Sequence, residues 1–234
     1  MLKKERMINV IWITGDTHAP LDISKLNTTN WPEQKNLTKE DILIITGDFG
    51  GVWDGSKTDK CWLDWFEKKK MTVVFCDGNH ENFDLLNQYP VIEWMGGKVH
   101  QIRPTVFHLM RGEIYNIQEK TFFVLGGADS HDKDRRTEGL NWWKEERPSE
   151  EEIDYARQKL DEVNWEVDVV ITHTAPTKVV RELGYLVENS TFQSFLDEMS
   201  VCLNFKKWYL GHFHRDVEFC NYHLMYERVV EIVD

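Results

Sequence analysis

MTVVFCDGNHE, residues 71–81, carries the pattern that decides the fold: an apolar, β-branched run that gives way at once to a polar turn. A strand covered on both faces has no polar alternation, so residues 71–76 read as buried strand. Two earlier stretches repeat the pattern. Residues 41–48 (DILIITGD) and 7–16 (MINVIWITGD) are again apolar runs ended by glycine and aspartate. Between the second and third runs, residues 56–70 place Trp62, Trp65 and Phe66 at helical spacing. Strand, helix and strand in this order predict parallel pairing through a crossover.

Farther along, short strand candidates at residues 98–102, 105–110, 113–117 and 121–125 are separated by turns and predict an antiparallel meander. Ser149 caps a helix expected to reach about residue 164, with Glu150, Glu151 and Glu152 in the turn where the helix dipole favours acids. Residues 168–172 (DVVIT) read as a further buried strand ended by His173, and residues 191–199 as helix. Residues 207–210 form a short strand ended by Gly211 and His212, and the tail from Val217 alternates as closing strands. No Gly/Ser/Pro-rich linker or repeat divides the chain, so residues 1–234 are assigned to one α/β domain with two sheets and helices outside them.

A net charge of −12 argues against a protein that grips nucleic acid on a basic surface, so no stable nucleic-acid complex is expected. A nucleotide bound through metals remains open. Cys61, Cys76, Cys202 and Cys220 form no CxxC pair and read as reduced thiols, Cys76 buried in its strand. Lys3, Lys4 and Arg6 precede an apolar run at residues 7–13, but that run is too short for a signal peptide and lacks a cleavage site. With no membrane-length apolar stretch either, a soluble cytoplasmic protein is expected. Oligomeric state is not legible.

The chemistry lies in where acids and imidazoles fall. Asp16 and His18, Asp48, Asn79 and His80, His173, and His212 and His214 each follow directly after an expected strand. Carboxyl ends of parallel strands converge on one edge, where ligands bind. Gly47-Asp48 alone is an ordinary turn, Asp16-x-His18 alone is a weak signal, and Gly78-Asn79-His80-Glu81 is less usual. Turn preference accounts for each singly but not for their ordered recurrence. Mixed oxygen and nitrogen donors without thiolate suit Mn²⁺, Fe or Zn²⁺ and not a structural zinc site. Seven donors exceed one open ion and suffice for two sharing a carboxylate, a pair ~3.5–4 Å apart that generates hydroxide and clamps both reacting oxygens.

On these motifs, Asp16-Thr17-His18, Gly47-Asp48, Gly78-Asn79-His80-Glu81, Thr172-His173 and Gly211-His212-Phe213-His214, the chain resembles the calcineurin-like metallophosphoesterases from residue 14 to 214. The resemblance implies a four-layer α/β/β/α sandwich with two mixed sheets. It implies one metal on Asp16, His18, Asp48 and His214, and a second on Asp48, Asn79, His173 and His212, with Asp48 bridging. Two divalent ions are expected, Mn²⁺ first, with Fe, Zn²⁺ or Ni²⁺ as further candidates. In that scheme a metal-bridging hydroxide attacks phosphorus, and His80 is the general acid toward the leaving group. Glu81 would orient His80 or begin the helix that follows. Protein Ser/Thr phosphatases of the superfamily read Gly-Asp-x-x-Asp-Arg-Gly, whereas here Gly47-Asp48 is followed by Phe49-Gly50-Gly51-Val52-Trp53. The chain looks closer to small stand-alone bacterial and phage phosphoesterases.

The expected activity is hydrolysis of a phosphomonoester or phosphodiester, with a small phosphorylated substrate, a nucleotide among the candidates. Arg135 and Arg136 are candidate phosphate contacts because a guanidinium fork matches phosphate oxygens. Trp143 or Trp53 would suit stacking on a base or aromatic leaving group, while Trp12, Trp62 and Trp65 are expected in the core. The competing readings are a catalytically silent scaffold of the same fold, or a nuclease acting on short oligonucleotides.

Overall fold

The apolar runs read from the sequence become the central strands of two facing sheets. The computed structural model describes residues 9–187 and 189–233; the start of the first run, residues 7 and 8, lies outside them. The first sheet contains β1 (Ile11–Thr14), β2 (Ile42–Ile45), β3 (Thr72–Phe75), β4 (Val91–Trp94), β5 (Gly97–Arg103), β6 (Val106–Leu109) and β13 (Val230–Glu231) in the order β13-β1-β2-β3-β6-β5-β4. The second contains β7 (Glu113–Ile117), β8 (Lys120–Leu125), β9 (Glu166–Thr172), β10 (Asn204–Leu210), β11 (Val217–Phe219) and β12 (Tyr222–Leu224) in the order β11-β12-β10-β9-β8-β7. Parallel pairing runs β1-β2-β3-β6 and β8-β9-β10-β12, with antiparallel strands at the edges, so both sheets are mixed.

Period-two alternation on doubly buried strands creates the layers. Ile42, Ile44, Val74 and Cys76 pack between the sheets against Phe122, Val124, Val169 and Ile171. Their neighbours Leu43, Ile45, Val73 and Phe75 face outward onto Leu63 and Phe66 of α1 (Lys57–Glu67). On the far side, Val170, Phe123 and Leu210 pack beneath α3 (Glu150–Glu162), α4 (Thr177–Glu182) and α5 (Thr191–Cys202). Three apolar seams thus separate four layers, helix, sheet, sheet and helix. Each large side chain fully buried in a seam contributes about 1.5–3 kcal/mol.

The expected meander is corrected by this arrangement. The four segments split into two antiparallel pairs, β5 with β6 in the first sheet and β7 with β8 in the second. Met110, Arg111 and Gly112 carry the chain across, because β6 finds a parallel partner in β3 and β8 one in β9. β4 and α4 were not anticipated. Ser149 caps α3 through a full capping box with Glu152. Trp12 and Trp65 are half-buried and pack against the outer core of the first sheet, Trp62 is half-buried outside it, and Trp31, Trp143 and Trp208 are the fully buried indoles. No helix among the described residues is long and apolar enough to cross a membrane.

Candidate metal and phosphate site

All eight side chains singled out after strands meet at the carboxyl edge shared by the two sheets. Asp16 and His18 leave β1, Asp48 leaves β2, Asn79 and His80 leave β3, His173 leaves β9, and His212 and His214 leave β10. Several leave in the left-handed region, His18 at φ 36°, Asp48 at 49°, His212 at 67° and His214 at 48°. Non-glycine residues adopt that conformation where the surroundings over-determine them, commonly at functional sites. Two glycines make room: a Cβ on Gly78 would lie 2.1 Å from Asp48 Oδ1, and one on Gly211 would lie 2.1 Å from Asp16 Oδ1.

Asp48 is the hub. Its Oδ1 accepts the backbone N–H of His80 at 2.9 Å, which leaves Oδ2 between His18 Nε2 at 3.1 Å and His173 Nε2 at 3.3 Å. On one side of it, His214 Nε2 lies 3.3 Å from Asp16 Oδ2, and one donor atom each from Asp16, Asp48 and His214 falls within a 4.8 Å cluster. On the other, Asn79 Oδ1 meets His173 Nε2 at 3.2 Å and His212 Nδ1 at 2.9 Å. His80 falls in a second cluster with His18 and Asp48.

Outer hydrogen bonds aim these donors. His18 Nδ1 donates to Asp22 Oδ2 at 2.8 Å and His173 Nδ1 to the Thr46 carbonyl at 2.7 Å, so both rings turn Nε2 inward. The Asn79 amide donates to Ser130 Oγ at 3.1 Å, which fixes its oxygen toward the imidazoles. Ser130 is held in turn by Glu146, which also accepts from Trp142 Nε1 at 2.6 Å. Tyr226 stacks on His214 at 4.6 Å, and buried Lys25 donates to the Asp16 carbonyl at 2.7 Å. Asp22, Ser130, Lys25 and Tyr226 carry no motif, and only the fold brings them in.

Electrostatics follow from packing carboxylates among imidazoles. Burial opposes ionisation of Asp48, but the adjoining His173 charge and the hydrogen bonds from His173 and His18 outweigh it and hold the carboxyl well below its usual range. Against the same burial, Asp48 and Asp16 raise His173 to about 10. His212 falls to about 3, through burial and then the charge of His173. The His173 charge thus balances the adjoining carboxylates of Asp48 and Asp16, a role that a cation held among these donors would take over.

The remaining expected contacts separate. Arg136 reaches the site: its Nη1 donates to His80 Nδ1 at 3.2 Å and its Nε pairs with Asp132 at 2.8 Å. Arg135 is exposed on the short helical turn Lys133–Arg135. Trp143 is buried, donates to Asp84 Oδ2 at 2.9 Å and meets Trp53 edge-on at 5.7 Å, so it backs Trp53 and presents no open face of its own. His131 is exposed, 6.0 Å from the His212 ring. Glu81 reaches away from His80: its Oε1 accepts the Phe49 N–H at 2.8 Å, bracing the turn behind Asp48. Burial and the charge of Asp48 push that carboxyl well above its usual range. The following helix, α2 (Phe83–Leu86), begins two residues later under an Asn82 cap.

The sequence profile of the calcineurin-like phosphoesterase family matches residues 10–216, nearly the whole chain, and the chain belongs to that family. Among curated proteins none matches. Family membership makes the chain a metal-dependent phosphoesterase, of a kind that typically holds two divalent ions.

Proposed function

We propose that this calcineurin-like phosphoesterase is a dinuclear hydrolase of a phosphomonoester or phosphodiester, acting as one domain. The observation that carries the reading is Asp48 Oδ2, seated 3.1 and 3.3 Å from imidazole nitrogens that belong to opposite halves of the site. One ion would lie among Asp16, His18, Asp48 and His214, and the other among Asp48, Asn79, His173 and His212. Four imidazole nitrogens, two carboxylates and an amide oxygen suit hard or borderline cations, and Mn²⁺ is taken first. When bound, such a pair supplies a hydroxide at neutral pH and neutralises charge on the phosphoryl oxygens.

The chain's own residues position the ester and handle the leaving group. Arg136 can only donate, so in its contact with His80 the Nδ1 accepts and the ring proton sits on Nε2, the nitrogen left for a leaving oxygen. Release of that proton requires a second one on Nδ1. When Arg136 turns from His80 to a phosphate oxygen as substrate enters, Nδ1 takes up a proton from solvent. The imidazolium passes its Nε2 proton to the leaving oxygen and returns to the neutral ring.

A silent scaffold would have lost donors or His80, and all eight positions are present. The net charge of −12 disfavours a nuclease gripping a polyanion. A hydrolysis panel with Mn²⁺, covering a generic monoester, a generic diester, cyclic nucleotides and dinucleoside polyphosphates, tests the reading. Turnover of at least one class is expected, and bound metal without turnover of any would move the protein to the scaffold reading. His80→Ala should cost turnover about 10²–10⁴-fold while metal content stays; equal loss of both would refute its assignment.

A further inference from the structure

Beside His18 and His80 a groove of ≈ 300 Å³ opens to solvent, walled by Ala19, Pro20, Leu21, Gly50 and Trp53. Apart from the two histidines, no wall residue carries an ionisable side chain. Its rim holds Leu21, 79% exposed, an apolar side chain left in water beside a polar site. At Gly50, φ is 75° and a Cβ would lie 2.3 Å from the Ala19 nitrogen, so that part of the wall is bare backbone pressed on backbone.

The Trp53 wall is built rigidly. The Trp53 N–H, with those of Asp54 and Gly55, donates to Oδ2 of buried Asp59 at 2.7–2.8 Å. Its carbonyl accepts from Asn82 Nδ2 at 2.6 Å, which ties it to the chain two residues beyond His80. Trp143 supports the indole edge-on from behind. The other end of the groove is equally fixed, since the Leu21 N–H donates to the His18 carbonyl at 2.7 Å. An aromatic side chain held on its backbone at both ends and left half-exposed beside an acid is a preorganised stacking surface.

We propose that this groove is the leaving-group subsite and that it takes a planar aromatic ring, stacked on Trp53. The inference rests on the phosphoesterase reading above: a group bonded to phosphorus through the oxygen that His80 faces must exit along His80, and His80 lines this groove. An uncharged wall with an indole along it favours a ring over a charged or polyhydroxylated alcohol. The ring arrives either directly on the ester oxygen, as in an aryl ester, or carried on ribose, as in a nucleotide.

The test uses the Mn²⁺-loaded protein and two readouts. Calorimetry compares phenylphosphonate with methylphosphonate, which share the phosphonate and carry a phenyl or a methyl group on phosphorus. Wild type should prefer phenyl by about tenfold, and Trp53→Ala should bring the preference near one, while Trp53→Phe keeps most of it. Leu21→Gln, at a site too exposed to affect folding, should lower the same preference by about two- to threefold. Kinetics then compare the wild-type to Trp53→Ala ratio of kcat/KM for phenyl phosphate, adenosine monophosphate and glycerol phosphate, because that ratio cancels intrinsic ester reactivity. A large ratio for phenyl phosphate alone assigns the aryl source, and a large ratio for the nucleotide assigns the nucleoside. Equal ratios for all three, or no phenyl preference in wild type, would overturn the subsite and leave the phosphoesterase reading intact. Absence of phosphonate binding together with no turnover of any monoester, diester, cyclic nucleotide or dinucleoside polyphosphate would overturn that reading itself.

Discussion

Arg111→Met should destabilise the protein severely, and the structure sets the scale. Arg111 lies where the chain crosses between sheets, its side chain 6% exposed, paired at 2.6 Å with an Asp77 that is 1% exposed. Its Nε donates to the same carboxylate at 2.9 Å, Nη1 reaches Glu152 at 3.1 Å, and Nη2 reaches the Glu145 carbonyl at 2.7 Å. Methionine matches the stem's volume, so the loss is mainly electrostatic: among the described residues the Asp77 carboxylate keeps His108 Nε2, at 3.1 Å, as its remaining side-chain partner. Breaking a buried pair by removing one partner costs about 3–5 kcal/mol, chiefly the desolvation of a buried charge left without its counterion. At about 2–4 °C per kcal/mol for a chain this long, Tm should fall by about 6–20 °C. The assay is thermal unfolding with chelator present, so that metal linkage does not mask the change. Asp77→Asn combined with Arg111→Met removes the stranded charge and should recover a large part of the loss. A fall under 2 °C, or a double variant as unstable as the two single losses added, would refute the reasoning.

Arg136→Ala should lower kcat/KM by about 10–100-fold, the worth of a charged hydrogen bond to phosphate, with Arg135→Ala within about twofold; equal losses would show that the loop acts only by its net charge. Burial and then Arg136 lower the His80 pKa against the pull of Asp48, so the same variant should move the alkaline limb of the pH profile upward, which a downward or absent shift would contradict. His100 donates from Nδ1 to His108 at 3.0 Å within the Asp77 cluster, and burial, then the neighbouring His108, lowers it to about 4. Its folded value lies below the unfolded one, so the stability it permits is full above about pH 6.5 and lost as pH falls toward 4. His100→Gln should lessen the acid loss by about 1–2 kcal/mol once screening is allowed for; parallel wild-type and variant curves of Tm against pH would count against it.

The strands and the eight convergent side chains were legible because both rest on short-range pattern. An unbroken apolar run needs cover on both faces, and a polar residue directly after it must lie on the sheet's edge. The meander misled because residues 98–125 carry the same local pattern whether their strands share a sheet or divide between two. What divides them is a partner far along the chain, β3 for β6 and β9 for β8. The tryptophans misled for a related reason. Helical spacing puts Trp62 and Trp65 on one side of α1, but Asp59, Leu63 and Phe66 form the buried face, Asp59 because three backbone N–H groups satisfy it. Asp22, Lys25 and Tyr226 were invisible because a group that orients a ligand from behind is chosen by geometry and leaves no spacing to read. Arg136 was legible only as one of a charged pair, until the fold turned it to His80 and left Arg135 in water.

Whether Asp48 joins two ions into one catalytic unit is tested most directly by hydrolysis rate against bound Mn²⁺ per chain, titrated into chelator-treated protein. Little turnover is expected through the first equivalent, a steep rise across the second, and loss of that rise in Asp48→Asn. Full activity at one equivalent per chain would contradict it.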